Sequence, residues 1–281
     1  MRYATLRQGG DNVLAVDEGD GWRRARRAAS LLEVIRGDRP RAGERLPGRP
    51  RYALPFRPVM IYGIGLNYRD TVEEMGWEIP ARPYLFPKLP SSAIGDGEPI
   101  RIDDTVTRRA DWEAELALII GRTCRHVRPE HALAQVFGYT TANDVSARDL
   151  QAEDGQWLRG KGLDTFCPLG PLVVTADEVA DPQDLRVRTW VNGTRMQDGT
   201  TADMIFPVAE LIAYCSRFFT LYPGDVILTG TPAGCGDFRR PRLSLRPGDH
   251  VEVEIGGIGR LGNPVEEDGP TGGREVSSLA Q

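Results

Sequence analysis

The segment Asp111-Trp112-Glu113-Ala114-Glu115 carries two glutamates two positions apart and leads into the apolar run Leu116-Ala117-Leu118-Ile119-Ile120. On an extended strand such residues share a face, so Glu113 and Glu115 point one way and Ala114, Leu116 and Leu118 the other. Neighbouring carboxylates beside an apolar run repel each other and resist desolvation. A divalent cation removes both costs, and an all-oxygen ligand set suits magnesium, manganese or calcium rather than zinc. The same pair can equally be the solvated end of a strand. These residues alone leave both readings open.

A second polar cluster follows in Asn143-Asp144-Val145-Ser146-Ala147-Arg148-Asp149-Leu150-Gln151, offering a third carboxylate and a guanidinium suited to an anionic substrate. Of 35 cationic residues only Lys88 and Lys161 are lysines. Either position can be chance in an arginine-rich chain, or a place where a compact ammonium is needed. Lys161 stands between Gly160 and Gly162. Lys88 lies in Phe86-Pro87-Lys88-Leu89-Pro90, which reads as a loop holding a solvated charge. Imidazole is scarce, with 3 histidines in all. Thr229-Gly230-Thr231-Pro232-Ala233-Gly234 continues a strand into a glycine-rich loop that lacks the ending of a phosphate-binding Walker loop.

The elements that must position these groups read mainly as strands. Val59–Gly65, Leu116–Ile120, Leu172–Thr175, Val187–Val191, Val226–Thr229 and Val251–Ile255 are short apolar runs, several closed by glycine. Helices are expected near Ser30–Ile35, Pro129–Val136 and Pro207–Phe218, the last with Val208, Leu211, Ile212 and Cys215 at helical spacing. Strands and helices do not alternate regularly, which disfavours a doubly wound parallel sheet. Arg2 to Val16 supplies strands around a turn at Gly9-Gly10-Asp11-Asn12, and Arg36–Pro58 reads as a linker. The expected organisation is a small N-terminal domain with its linker (1–56), a catalytic domain (57–265) and a disordered tail (266–281).

The chain has 281 residues, 40% hydrophobic and 27% charged, enough for a sizeable core. A net charge of −5 argues against nucleic acid as a partner. No apolar stretch reaches the ~20 residues of a membrane span, and the first residues lack the apolar core of an export signal. The four cysteines are widely separated and form no Cys-x-x-Cys pair, so a reduced cytoplasmic setting is expected.

Five segments occur in order: Gly65-Leu66-Asn67-Tyr68, Asp111 to Leu116, Asn143 to Asp149, Gly160-Lys161 to Gly170-Pro171, and Thr229-Gly230-Thr231-Pro232. Together they resemble the fumarylacetoacetate hydrolase family over residues 57 to 265. The resemblance implies a mixed β-sandwich roll with a small β-rich N-terminal extension, a homodimer, and magnesium (or manganese or calcium) at the active site. It places Glu113, Glu115 and Asp144 as metal ligands. It places Tyr68, Arg148, Gln151, Lys161 and Thr231 at the substrate, a small 2-oxo or β-dicarbonyl acid.

One departure affects the chemistry. Hydrolytic relatives carry a histidine, then a glutamate three positions on, as a water-activating pair. This chain has Thr71 in place of the histidine and keeps the acid as Glu74. An unperturbed threonine hydroxyl is no base near neutral pH. The expected chemistry is therefore tautomerisation, isomerisation or decarboxylation through a metal-stabilised enolate, with Glu74 and Lys161 as the catalytic groups. Carbon–carbon hydrolysis of an acylpyruvate is the alternative, and a repurposed ligand-binding or biosynthetic protein without hydrolytic turnover a second.

Overall fold

A computed structural model describes residues 1–269. The strand Ala114–Ile120 is buried at every position, so it must be covered on both faces, and it lies inside the larger of two main sheets. Its neighbours are Val136–Asn143 on one side and Val226–Leu228 on the other, both antiparallel to it. Beyond these, the sheet continues through Ile61–Gly65 and Tyr84–Lys88 in one direction. In the other it runs through Cys167–Thr175, Arg2–Gln8, Asp11–Asp17, Arg23–Arg26 and Arg41–Arg45. A second sheet orders Thr194–Thr200, Arg186–Val191, His250–Ile255, Gly259–Glu267 and Ile100–Ile102.

The two-residue period of the central strand divides the core. Ala114, Leu116, Leu118 and Ile120 join a cluster with Leu211 and Ile212 of the helix Val208–Phe218 and with Val253 and Ile255 of the second sheet. Ala117 and Ile119 face the opposite cluster, with Tyr3, Leu14, Leu31 and Val34 from the N-terminal segment. Glu115 has the parity of this second set. The mainly β, multi-sheet architecture is the one the sequence predicts, with mostly antiparallel pairing and no regular helix–strand alternation.

Four local expectations change. Arg36–Pro58 is not wholly a linker, because Arg41–Arg45 pairs with Arg23–Arg26 at the sheet edge. The N-terminal strands extend the large sheet, Arg2 pairing with Val174 and Tyr3 with Val173. The helix predicted over Pro129–Val136 is a single α-turn, Pro129–Ala132, tightening into a 3₁₀ turn, Leu133–Gln135. Glu266 and Glu267 belong to the strand Gly259–Glu267, parallel to Ile100–Ile102. Residues 270–281 of the expected tail lie outside the described residues.

Candidate active site

The register between Ala114–Ile120 and Val136–Asn143 sets the site. Ala114 pairs with Asn143 and Glu115 with Ala142, so the chain leaving the second strand turns beside Glu113. The Asn143 carbonyl Oδ1 accepts the Glu113 N–H at 2.9 Å, and the Glu113 carbonyl accepts the Asp144 N–H at 2.9 Å. These bonds bring one carboxylate oxygen each from Glu113, Glu115 and Asp144 within 4.8 Å of one another, all three residues buried.

Three cations converge on this cluster. Lys161 Nζ lies 2.7 Å from Glu113 Oε2 and 2.6 Å from Asp144 Oδ2. Lys88 Nζ lies 2.6 Å from Asp144 Oδ1 and donates to the Val145 carbonyl at 3.2 Å. Arg148 places Nη2 2.6 Å from Glu113 Oε1 and Nε 2.9 Å from Asp111 Oδ2. Burial alone would lower the Lys161 pKa, but Asp144 and Glu113 outweigh it and hold the ammonium above the usual lysine value. Burial would raise the Asp144 carboxyl, yet Lys161 and Lys88 hold it below the usual range. Lys88 differs from the sequence expectation. It ends the strand Tyr84–Lys88, is fully buried, and is an ion-pair partner rather than a solvated loop charge.

Glu115 is the exception in this neutralised cluster. Among the described residues no cationic nitrogen lies within 4.0 Å of it, and its carboxylate Oε2 accepts the Gly230 N–H at 2.7 Å. Burial, then repulsion from Asp144 and Glu113, pushes its carboxyl well above the usual range. A buried carboxylate lacking a countercharge beside two other carboxylates fits a divalent cation, which supplies the missing charge. The Gly230 contact depends on backbone that only glycine adopts readily, with φ +93° and an added Cβ 2.8 Å from that of Asn67.

Above the cluster opens a cavity of about 360 Å³, at the small end of the ~300–1,000 Å³ usual for ligand sites. Glu113, Glu115, Arg148, Gln151, Lys161 and Thr231 line it. Asp144 lies behind this surface with no exposure. Gln151 accepts from Arg148 Nη1 at 3.1 Å. The Thr231 hydroxyl donates to the Ala114 carbonyl at 2.9 Å and accepts from Gln197 Nε2 at 2.8 Å.

Two expected site residues stand elsewhere. Tyr68 is fully buried in the apolar cluster of Leu116 and Leu118, outside the cavity lining, and its hydroxyl has no partner among the described residues. Glu74 is exposed on the helix Arg69–Met75 and its carboxylate accepts the Gly234 N–H at 2.9 Å. Thr71, one turn earlier, does line the cavity and donates its hydroxyl to the Thr231 carbonyl at 2.7 Å.

Sequence reasoning missed Asp111. Its buried carboxylate accepts from Arg148 Nε and from the backbone N–H groups of Trp112 at 2.9 Å, Gly236 at 2.7 Å and Asp237 at 3.1 Å. It ties the guanidinium to the glycine-rich loop. Its position two residues before Glu113 is the same-face spacing that marks it in the sequence.

Residues 60–266 match the family described as Fumarylacetoacetate (FAA) hydrolase C-terminal. The chain belongs to the fumarylacetoacetate hydrolase family, whose members include hydrolases, tautomerases and isomerases. It is 48% identical over 223 residues to a 2,4-didehydro-3-deoxy-L-rhamnonate hydrolase of Sphingomonas sp. (strain SKA58), covering 78% of each chain. It is 48% identical over 210 residues to the mitochondrial oxaloacetate tautomerase fahd2 of Xenopus laevis, covering 74% of this chain and 66% of that one. Its fold is similar to a fumarylacetoacetate hydrolase from Exiguobacterium antarcticum, with TM-score 0.88, 42% identity and 95% and 99% of the two chains covered. No helix among the described residues is long and apolar enough to cross a membrane.

Proposed function

We propose that this protein is a magnesium-dependent keto–enol tautomerase of a small 2-oxo acid, with Glu113, Glu115 and Asp144 as the metal ligands. The observation that carries the reading is at position 71. The Thr71 hydroxyl is committed to the Thr231 carbonyl, so the cavity wall offers no imidazole there to activate water. The acidic triad, Lys161 and Arg148 are meanwhile intact, and tautomerisation needs only charge stabilisation and a proton exchanged at carbon. The 48% identity to an oxaloacetate tautomerase supports the same chemistry.

When bound, the cation supplies Lewis-acid polarisation of the 2-oxo group. The chain's own residues do the rest. Lys161 presents a fixed ammonium to the negative charge that develops on the substrate oxygens, and its two carboxylate partners keep it protonated. Arg148, locked by Asp111 and Gln151, holds Glu113 in place and adds positive potential at the cavity floor. Gln151 and Thr231 bound the acid laterally. Glu74, exposed one helical turn from Thr71 and outside the cavity lining, exchanges the proton at the carbon beside the oxo group through an intervening water. The functional unit is a homodimer in a reducing, cytoplasm-like compartment, with no nucleic-acid partner. Decarboxylation of the same enolate precursor is the neighbouring reaction.

Hydrolysis is the second reading, favoured by the 48% identity to a 2,4-didehydro-3-deoxy-L-rhamnonate hydrolase. It requires Glu74 to hold the attacking water without an imidazole. The deciding experiment follows the ultraviolet absorbance of enol oxaloacetate with magnesium present. Catalysed decay to the keto form supports tautomerisation. No effect on that decay, with robust cleavage of an acylpyruvate instead, would overturn it.

A further inference from the structure

Resting on the 2-oxo acid reading above, the geometry points to Arg109 as the residue that selects a dicarboxylate substrate by binding its distal carboxylate. Three cations line the cavity: Arg109, Arg148 and Lys161. Two of them are tied to buried carboxylates beside the triad. Arg148 donates Nε to Asp111 and Nη1 to Gln151, its Nη2 lies 2.6 Å from Glu113 Oε1, and its side chain is 7% exposed. Lys161 spans Glu113 and Asp144 at 2% exposure. Both are anchored beside the triad by these carboxylates, and drawing either one away to a distal anionic group would surrender a buried partner, which is costly.

Arg109 differs in both respects. Its side chain is 31% exposed, and its Nε and Nη2 donate to Asp237 at 2.7–3.1 Å. Nη1 has no partner among the described residues. The bidentate pair fixes the guanidinium plane, leaving two N–H donors of Nη1 available for a carboxylate at low ordering cost. Asp237 is itself held, because its N–H donates to the Asp111 carboxylate that also grips Arg148. The Arg109 backbone carbonyl accepts the Arg148 N–H at 3.0 Å. The two arginines therefore share one rigid corner, with the metal-ligand side of the cavity next to Arg148 and the outer side next to Arg109. A short acid with its 2-oxo end at the triad directs its far end toward the outer side. A carboxylate there meets Nη1; a methyl group gains nothing.

The test uses the full chain with magnesium and measures calorimetric affinity for oxaloacetate and for pyruvate, which lacks the distal carboxylate. The parent is expected to prefer oxaloacetate by at least ~10-fold, on the scale of one hydrogen-bonded charge pair. Arg109→Gln should abolish most of that preference while leaving pyruvate affinity close to the parent value. Arg109→Lys, with a charge but no fork, should retain part of it. The double variant Arg109→Gln/Asp237→Asn removes both charges, so a fold disturbed by an unpaired Asp237 is distinguished by its melting temperature. Equal affinity of the parent for the two acids, or an unchanged preference in both glutamine variants, would overturn the assignment. These arms need no turnover. A parent that binds oxaloacetate with this preference yet does not accelerate its tautomerisation refutes the proposed reaction and leaves the role of Arg109 supported.

Discussion

Arg148 Nε lies 2.9 Å from Asp111 Oδ2, and both side chains are almost wholly removed from solvent. The same carboxylate receives three backbone N–H groups, two of them from the glycine-rich loop. Asp111 is thus the joint through which the cavity-lining guanidinium, the Glu113 strand entry and that loop share one geometry. Asp111→Asn leaves one acceptor oxygen for four donors and a buried Arg148 without its countercharge. Breaking a buried pair of this kind costs about 3–5 kcal/mol. Denaturant unfolding should show that loss, and catalytic activity should fall with it. A variant as stable as the parent contradicts the role.

Among the described residues Glu115 has no cation within 4.0 Å, so of the three proposed ligands it depends most on a bound ion. Glu115→Ala is expected to weaken magnesium or manganese binding at least ~10-fold by calorimetric titration, since losing even an outer-shell partner of a ligand costs ~10-fold or more. Binding as tight as in the parent would remove Glu115 from the ligand set.

Lys161 holds two carboxylates at 2.6–2.7 Å with one compact ammonium. Arginine keeps the charge but spreads it over a larger planar fork in a fully buried slot. Turnover of Lys161→Arg should drop by at least ~100-fold, comparable to removing one electrostatic stabiliser. The folded fraction, followed by circular dichroism, should be retained. Full activity in this variant would show that any cation suffices there.

Position 71 separates the two reactions. Thr71→His restores the missing imidazole at the cavity wall and should add or raise cleavage of an acylpyruvate while changing tautomerisation little. Glu74→Gln, which cannot exchange a proton, should depress tautomerisation by ~100-fold or more, at the lower end of general acid–base contributions. Strong acylpyruvate hydrolysis by the parent, lost in Glu74→Gln and unchanged in Thr71→His, would falsify the tautomerase reading.

Asp149, next to Arg148, offers a pH test of the surrounding scaffold. Its carboxylate accepts from the Thr107 hydroxyl at 2.6 Å and from the N–H groups of Arg108 and Leu150 at 2.9 and 3.0 Å. Partial burial raises its pKa, but these donors outweigh burial and leave it below the usual aspartate value. A depressed folded pKa means the stabilisation is complete above the ordinary carboxylate value near ~4 and is lost as pH falls through the lower folded value. Asp149→Asn should cost about 1–2 kcal/mol at pH 7, discounted for solvent access, with the difference from the parent shrinking below pH ~4. A constant difference from pH 7 to pH 2 would show that the charge is irrelevant.

Much of the frame could be read from residue order alone. The apolar run after Glu115 fixes a buried strand, and its two-residue period fixes which side chains share a face, because backbone geometry leaves no other choice. Pro207 and the spacing of Val208, Leu211 and Ile212 likewise fix a helix with one buried side. The family motifs supplied Glu113, Glu115 and Asp144 as a set, and the described residues do bring them together. The edge strand Arg41–Arg45 escaped detection because polar, glycine- and proline-flanked segments carry no local signal; only its partner, Arg23–Arg26, makes it a strand. Lys88 escaped for a related reason. A lysine between prolines has the local character of a solvated loop, and its burial is set by Asp144, 56 positions further along the chain, through a long-range ion pair. Tyr68 follows its motif in sequence, yet strand and helix packing turn its ring into the core rather than the cavity. Residue types and local periodicity determined which groups could do chemistry here. Which of them face the cavity, and which charges are already satisfied, was decided by contacts between segments tens of residues apart, because electrostatics and burial depend on distance in space and not along the chain.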